Sequence, residues 1–147
     1  MAEHRQYCTF FLEGVLFGIP VEQVQEVIRR QPMTRVPLAP PAVRGLINLR
    51  GQIVTAIDLR TSLRLGGHVD EAQAYNVVVR SAHGAVSFLV DEIGEVCTVN
   101  AADLDEPPRH LHEPLRSMIH QVYRLESRTM LVLDAARSLE AAAMAAC

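Results

Sequence analysis

Three short stretches of this chain recur in the same order, and any fold must accommodate both copies. Val21-Glu22-Gln23-Val24-Gln25-Glu26-Val27 matches Val90-Asp91-Glu92-Ile93-Gly94-Glu95-Val96. Arg44-Gly45-Leu46-Ile47 then matches Arg116-Ser117-Met118-Ile119, and Ile57-Asp58 matches Leu133-Asp134. One short match would carry little, but three in the same order indicate two related lobes. At 147 residues the chain is short enough for a single domain of interlocked lobes.

Short β-branched segments bounded by turn residues mark most of the chain as strand. Tyr7–Leu12 and Val15–Ile19 form a hairpin around Glu13-Gly14. Val21, Val24, Val27 and Ile28 recur at helical spacing and predict a short helix that begins after Pro20. The proline-rich segment 32–43 predicts an irregular connector. Val43–Leu59 reads as strand, tight turn and strand, with Asp58 capping a helix that starts at Leu59. A polar interval near Gly66-Gly67 precedes a second hairpin that turns at His83-Gly84. Glu92–Val99 predicts a strand, residues 100–114 a loop, and Ser117–Leu125 and Thr129–Leu133 a strand pair around Glu126–Arg128. The alanine-rich end, residues 135–147, predicts a helix whose Leu139 needs cover.

The expected fold is therefore mostly β: two pseudo-symmetric, five-stranded, SH3-like barrels with short helices and a C-terminal helix. The first barrel is expected over about 15–70 and the second over about 71–135, with strand exchange from both termini. The second copy is expected to replace the Asn48–Gly51 corner by His120-Gln121-Val122-Tyr123, which leaves an arginine-tipped turn in the first lobe alone.

Chemistry is sparse. The net charge of −3 and a pI near 6 speak against nucleic-acid binding. Cys8, Cys97 and Cys147 form no CxxC pair, which predicts neither zinc nor a disulfide framework. MAEHRQY has no basic-then-apolar leader and no apolar run reaches membrane-spanning length, so a cytoplasmic protein without membrane insertion is expected. His110 and His112 lack an evident third ligand. Asp58 and Asp134, equivalent in the repeat, read as two helix caps rather than an acid–base pair. No catalytic residues, cofactor or metal are expected.

What remains is Arg50, presented on a stiff hairpin with Glu26 as a possible partner. The two readings of this pair are solvated surface charge and a recognition element.

The residues resemble a known family at this point. Phe17-Gly18-Ile19-Pro20-Val21, Val24-Gln25-Glu26-Val27-Ile28, Gly45-Leu46-Ile47-Asn48-Leu49-Arg50-Gly51 and Ile57-Asp58-Leu59-Arg60 are similar to the CheW-type coupling proteins of bacterial chemotaxis. Pro20 departs from the acidic or small residue common at that position. The resemblance implies a cytoplasmic, non-enzymatic adaptor, monomeric when free and associated with membrane receptor arrays. Its implied partners are the cytoplasmic tip of a chemoreceptor and the regulatory domain of a CheA-type histidine kinase. The receptor helix would lie in a groove between the lobes, with the kinase at lobe ends. Glu26 and Arg50 are carried over as the charged pair, with Asn48 and Leu49 at the corner and Val24, Val27, Ile28 and Val36 as apolar contacts. Alternatives are a paralogue in a pilus, gliding or surface-sensing pathway that binds receptor without kinase, and a small metal- or ligand-binding protein built on His110, His112 and the cleft.

Overall fold

The computed structural model describes residues 5–82 and 84–144. His83 and Cys147, named above, lie outside the described residues. Among the described residues, twelve strands run in chain order as β1 (Arg5–Leu12), β2 (Val15–Pro20), β3 (Val24–Arg29), β4 (Val43–Leu49), β5 (Gln52–Asp58), β6 (Tyr75–Ser81), β7 (Gly84–Val90), β8 (Glu92–Ile93), β9 (Cys97–Val99), β10 (Leu104–Asp105), β11 (Ile119–Arg124) and β12 (Thr129–Leu133). Three helices, α1 (Leu59–Ser62), α2 (Leu115–Met118) and α3 (Ala135–Met144), complete the regular structure together with two 3-10 turns.

The strands form two sheets. One has five strands in the order β3-β6-β7-β5-β4, and the other has seven, with β10-β11-β12-β2-β1-β8 in line and β9 also paired to β1. The expected barrels are not closed: in each case the sheet ends on edge strands that do not pair with each other. The five-stranded sheet comes near to closure, because the connector after β3 forms a bridge between Thr34 and Leu46 of β4. That bridge occupies edge hydrogen bonds which would otherwise stay open to other chains.

The pseudo-symmetry is visible in the pairing. β2 lies parallel to β12 in one sheet, and β7 lies parallel to β5 in the other. Val43 pairs with Ile57 just before Asp58, and Ile119 pairs with Leu133 just before Asp134. Both ladders shift register at the next residue, between Val43 and Gly45 and between Ile119 and Gln121. His120, not Arg116, is therefore the counterpart of Arg44. Ser117 and Met118, expected to begin the Ser117–Leu125 strand, sit in α2. The counterpart of the Arg50-Gly51 corner is the Glu126–Arg128 turn, closed by the Leu125 N–H to the Arg128 carbonyl at 2.8 Å, and not His120–Tyr123, which lies within β11.

A second correction concerns Val21–Ile28. Only Val21–Gln23 is helical, as one 3-10 turn, after which the chain becomes β3 on the edge of the five-stranded sheet. A register shift between Val24 and Glu26 adds one residue to the strand. A 3-10 turn followed by a bulge spaces apolar residues three apart, which imitates an amphipathic helix. Pairing with β6 decided the outcome over local pattern. The Glu92–Val99 strand is likewise divided into β8 and β9.

The main core joins both sheets: Phe10, Phe17, Leu12 and Ile19 pack with Phe88, Val54, Ile57 and Leu133. Phe10 and Phe17 stack at 5.9 Å. A smaller cluster of Tyr7, Leu16, Val99, Tyr123, Met130 and Val132 fills the seven-stranded sheet's own side. Leu139 of α3 packs on the main core, so the C-terminal helix returns to the body.

Candidate functional site

The corner is built by the β4–β5 ladder. Leu49 pairs with Gln52, which leaves Arg50-Gly51 as a two-residue turn. Both carry positive φ, 51° at Arg50 and 89° at Gly51, the backbone that matches the twist of a hairpin. Gly51 takes this conformation freely, whereas Arg50 is held in it by its neighbours. Asn48 supports the turn by accepting the Gly51 N–H at 2.9 Å on its side-chain oxygen. Leu49 is 7% exposed and belongs to the main core. It anchors the corner from below and offers no surface to a partner.

Arg50 reaches from this turn to the carboxylate of Glu26, which lies on β3 and not on the expected helix. β3 and β4 are the opposite edges of the five-stranded sheet, so the pair spans its open seam. The Arg50 hydrogen bond is the main cause that holds the Glu26 carboxyl below its ordinary value of 4.5, and Arg50 is raised in turn. The arginine side chain is 72% exposed. An exposed pair of this kind adds little to folding stability.

A folded-state pKa below the unfolded one contributes stability that is present above about pH 4.5 and fades as pH falls through the lowered value. An NMR titration of the Glu26 carboxyl should therefore show a midpoint below that of an ordinary glutamate. In Arg50→Ala the midpoint should move up. An unchanged midpoint would remove Arg50 as its cause.

The other expected contact residues are divided. Val24 and Ile28 are half-buried against the core, while Val27 and Val36 are exposed. Val27 sits beside Glu26 on β3. Val36 lies elsewhere: from the antiparallel Thr34–Leu46 bridge the connector runs toward the Val43 end of β4, away from the corner. The structure thus gathers Glu26, Val27, Asn48 and Arg50 at one place. It adds Ile53, 60% exposed and paired with Asn48, which was read only as a sheet residue. Strand alternation against the fully buried Val54 was the signal that could have singled it out.

Between the sheets lies a cleft of about 640 Å³. Its walls include Gln23 and Arg80 from one side and His120, Val132, Asp134 and Leu139 from the other. Arg80 is fixed there by donating to the Glu22 and Val24 carbonyls at 3.0 and 3.2 Å. His110 and His112 are exposed, and among the described residues no group of three or more His, Cys, Asp or Glu could hold a metal ion. Among those residues, no helix is long and apolar enough to cross a membrane.

Comparison with known proteins gives a consistent result. The CheW-like domain family matches residues 6–143. The chemotaxis protein CheW of Bacillus subtilis is 30% identical over 126 residues, covering 86% of this chain and 81% of that protein. CheW of Treponema pallidum is 29% identical over 136 residues, covering 90% and 80%. The crystal structure of the scaffolding protein TtCheW from Thermoanaerobacter tengcongensis superposes with a TM-score of 0.80 at 22% identity, covering 90% of each chain, and shares the fold. With the duplicated lobes, the Asn48–Gly51 corner and a family match across nearly its whole length, the chain belongs to the CheW-like domain family.

Proposed function

We propose that this protein is a non-enzymatic chemotaxis adaptor, a scaffold that couples chemoreceptor tips to the regulatory domain of a CheA-type histidine kinase. The observation that carries this reading is the Glu26–Arg50 pair. The fold commits a two-residue turn with two positive φ angles, an Asn48 brace and a buried Leu49 to holding one largely exposed guanidinium. So much local structure around a pair of small stabilising value supports a recognition role. Exposed Val27 and Ile53 flank it as apolar contact area. The relatives named above are called chemotaxis proteins, and the superposed structure is called a scaffolding protein, which supports the same reading.

As an adaptor the protein would act by differential binding. A receptor state that alters packing at one surface biases the kinase held at another, and the size of the bias equals the difference in binding free energy between the two kinase states. The cleft between the sheets is the proposed seat of the receptor helix, because Val132, Leu133, Ala135 and Leu139 give it one apolar wall, opposite the polar Gln23 and Arg80. Work in a cytoplasmic setting at the face of a receptor array is the matching location.

The test is a paired binding measurement with a receptor cytoplasmic tip and a kinase regulatory domain. Wild type should bind both. Arg50→Ala should weaken one of them about tenfold, or roughly 1.4 kcal/mol, with little change in thermal midpoint. Binding to neither partner by the wild-type chain would sink the reading. A large stability loss in Arg50→Ala would make the arginine structural instead.

A further inference from the structure

The β1–β2 and β6–β7 hairpins run between the same two places in opposite senses. β1–β2, in the seven-stranded sheet, turns at Glu13 and ends at Pro20, which lines the cleft. β6–β7, in the five-stranded sheet, turns after Ser81, beside Ala82 in the cleft, and ends at Val90, next to Asp91. The five steps from Val15 to Pro20 put roughly 17 Å between the two places. Phe10, Phe17 and Phe88 of the main core lie on these hairpins and pack between the sheets.

The place away from the cleft is pinned by charge. Arg60, the second residue of α1, pairs with Glu13 at the tip of β1–β2 and with Asp91 at 3.5 Å. It also donates from Nε and Nη2 to the Gly66 carbonyl at 3.2 and 3.0 Å. Asp91 in turn accepts the Glu13 N–H at 2.9 Å, and its own N–H bonds the Phe11 carbonyl at 3.1 Å. Among the described residues, Arg60–Glu13 is the salt bridge that ties a turn of one sheet to the helix following the other. The arginine side chain is 19% exposed, so water screens this pair less than it does the Glu26–Arg50 pair.

The repeat places the same junction at the cleft, without its charges. Leu12 pairs with Val15 around Glu13, and Ser81 pairs with Gly84 around Ala82, so Ala82 is the counterpart of Glu13. Asp58 precedes α1 as Asp134 precedes α3, so Ala136 is the counterpart of Arg60. Both alanines line the cleft, and among the described residues no salt bridge crosses it. Two methyl groups cannot reach across the gap that two long charged side chains close at the other end. The cleft of about 640 Å³ is thus the vacated second copy of the Arg60 junction.

We propose that the sheets form a wedge whose width at the cleft is set at both ends: Ala82 and Ala136 hold it open, and Arg60 pins the far side. The two alanines are then specificity determinants for a helix, about 10 Å across, and Arg60 is a positioning residue that touches no partner. The identity of the bound helix rests on the adaptor reading, whereas the width of the cleft does not. A pinned far end keeps the cleft at one width before binding, which lowers the cost of association.

The test rebuilds the pin in one variant and removes it in another. Spin labels at Gln23→Cys and His120→Cys, on opposite walls, report the width by dipolar distance measurement with Cys8→Ser, Cys97→Ser and Cys147→Ser in place. Ala82→Glu with Ala136→Arg should shorten the mean label distance, and Arg60→Met should broaden its distribution. In the unlabelled chain the rebuilt pair should lower affinity for a receptor cytoplasmic tip about tenfold or more. Arg60→Met should lower it about fivefold. Affinity for a CheA-type regulatory domain should stay at the wild-type value in both variants. An unchanged label distance in the rebuilt pair would overturn the wedge, whatever the partners do. A shortened distance with unchanged receptor affinity would overturn the alanines as determinants of binding. Equal loss of both partners would overturn the proposal by showing general damage to the fold. Wild type binding neither partner would overturn the adaptor reading and leave the wedge to be judged by the label distances.

Discussion

Asp58→Ala should cost about 3–5 kcal/mol of folding stability, whereas Asp134→Ala at the equivalent position should cost about 1 kcal/mol. Both aspartates accept a backbone N–H in the first turn of a helix, from Thr61 at 3.2 Å and from Arg137 at 3.1 Å. In each case the aspartate's own N–H bonds back across the bulge, to Ala42 and to Met118. The resemblance ends there. Asp58 is fully buried and also accepts from the Val69 N–H at 2.8 Å and from Arg44 Nε and Nη2 at 3.3 and 3.1 Å. Its removal leaves a buried N–H and a mostly buried guanidinium without their acceptor, which costs more than loss of the cap alone. Asp134 is 32% exposed, and water can replace what it provides. Thermal unfolding of the two variants checks the difference, on the order of 10 °C in midpoint for Asp58→Ala. Equal losses would mean that the two carboxylates do only the common capping job.

That contrast also shows what the sequence could reveal. Capping at both aspartates was legible because it depends on a local pattern, an Asx residue directly before a helix start. The additional burden on Asp58 was not, because Val69 and Arg44 reach it through the fold. The repeat was legible where its two copies have equal lengths: the β1–β2 and β6–β7 hairpins keep one offset through Val21 and Val90. Beyond them the connectors differ in length, so matching Arg44 to Arg116 by letter placed the equivalence four residues too early. The bulges at Arg44 and His120 give the true correspondence, and a bulge has no strong signature in residue type.

The candidate site was legible to the same degree. The Asn48–Gly51 corner depends on turn chemistry, which is local, and the structure shows that turn. The contact between Glu26 and Arg50 was correctly paired even though the element that carries Glu26 was misread, since a strand edge delivers the carboxylate as well as a helix would. Leu49 was misplaced because a residue adjoining a turn can point either way, and only strand register decides. Leu38, fully exposed at a φ of 61°, lies within a connector read as irregular. Exposure at a positive φ is a property of coordinates, with no counterpart in a string of letters.

Gly45→Ala should destabilise by about 1–3 kcal/mol and release the connector that carries Val36 and Leu38. A Cβ at Gly45 would fall 2.7 Å from the Thr34 carbonyl oxygen and 3.2 Å from Met33 Cβ. Neither neighbour yields cheaply, because Thr34 and Leu46 exchange two backbone hydrogen bonds of 2.8 Å. To admit the methyl group, the bridge must open or β4 must move, and β4 is tied to β5 through the whole hairpin. Gly51→Ala in the same motif offers a control with a different physical cause. Nothing lies within 4 Å of its added Cβ, so its cost is only the left-handed backbone at φ 89°, roughly 1–2 kcal/mol. Limited proteolysis separates the two: cleavage within residues 30–42 should accelerate in Gly45→Ala and not in Gly51→Ala. If both variants were cut alike, the Thr34–Leu46 bridge would not be what holds the connector. If only Gly45→Ala opens it, the two glycines of one short motif have separate duties. One keeps the connector against the sheet edge, and the other shapes the turn that presents Arg50.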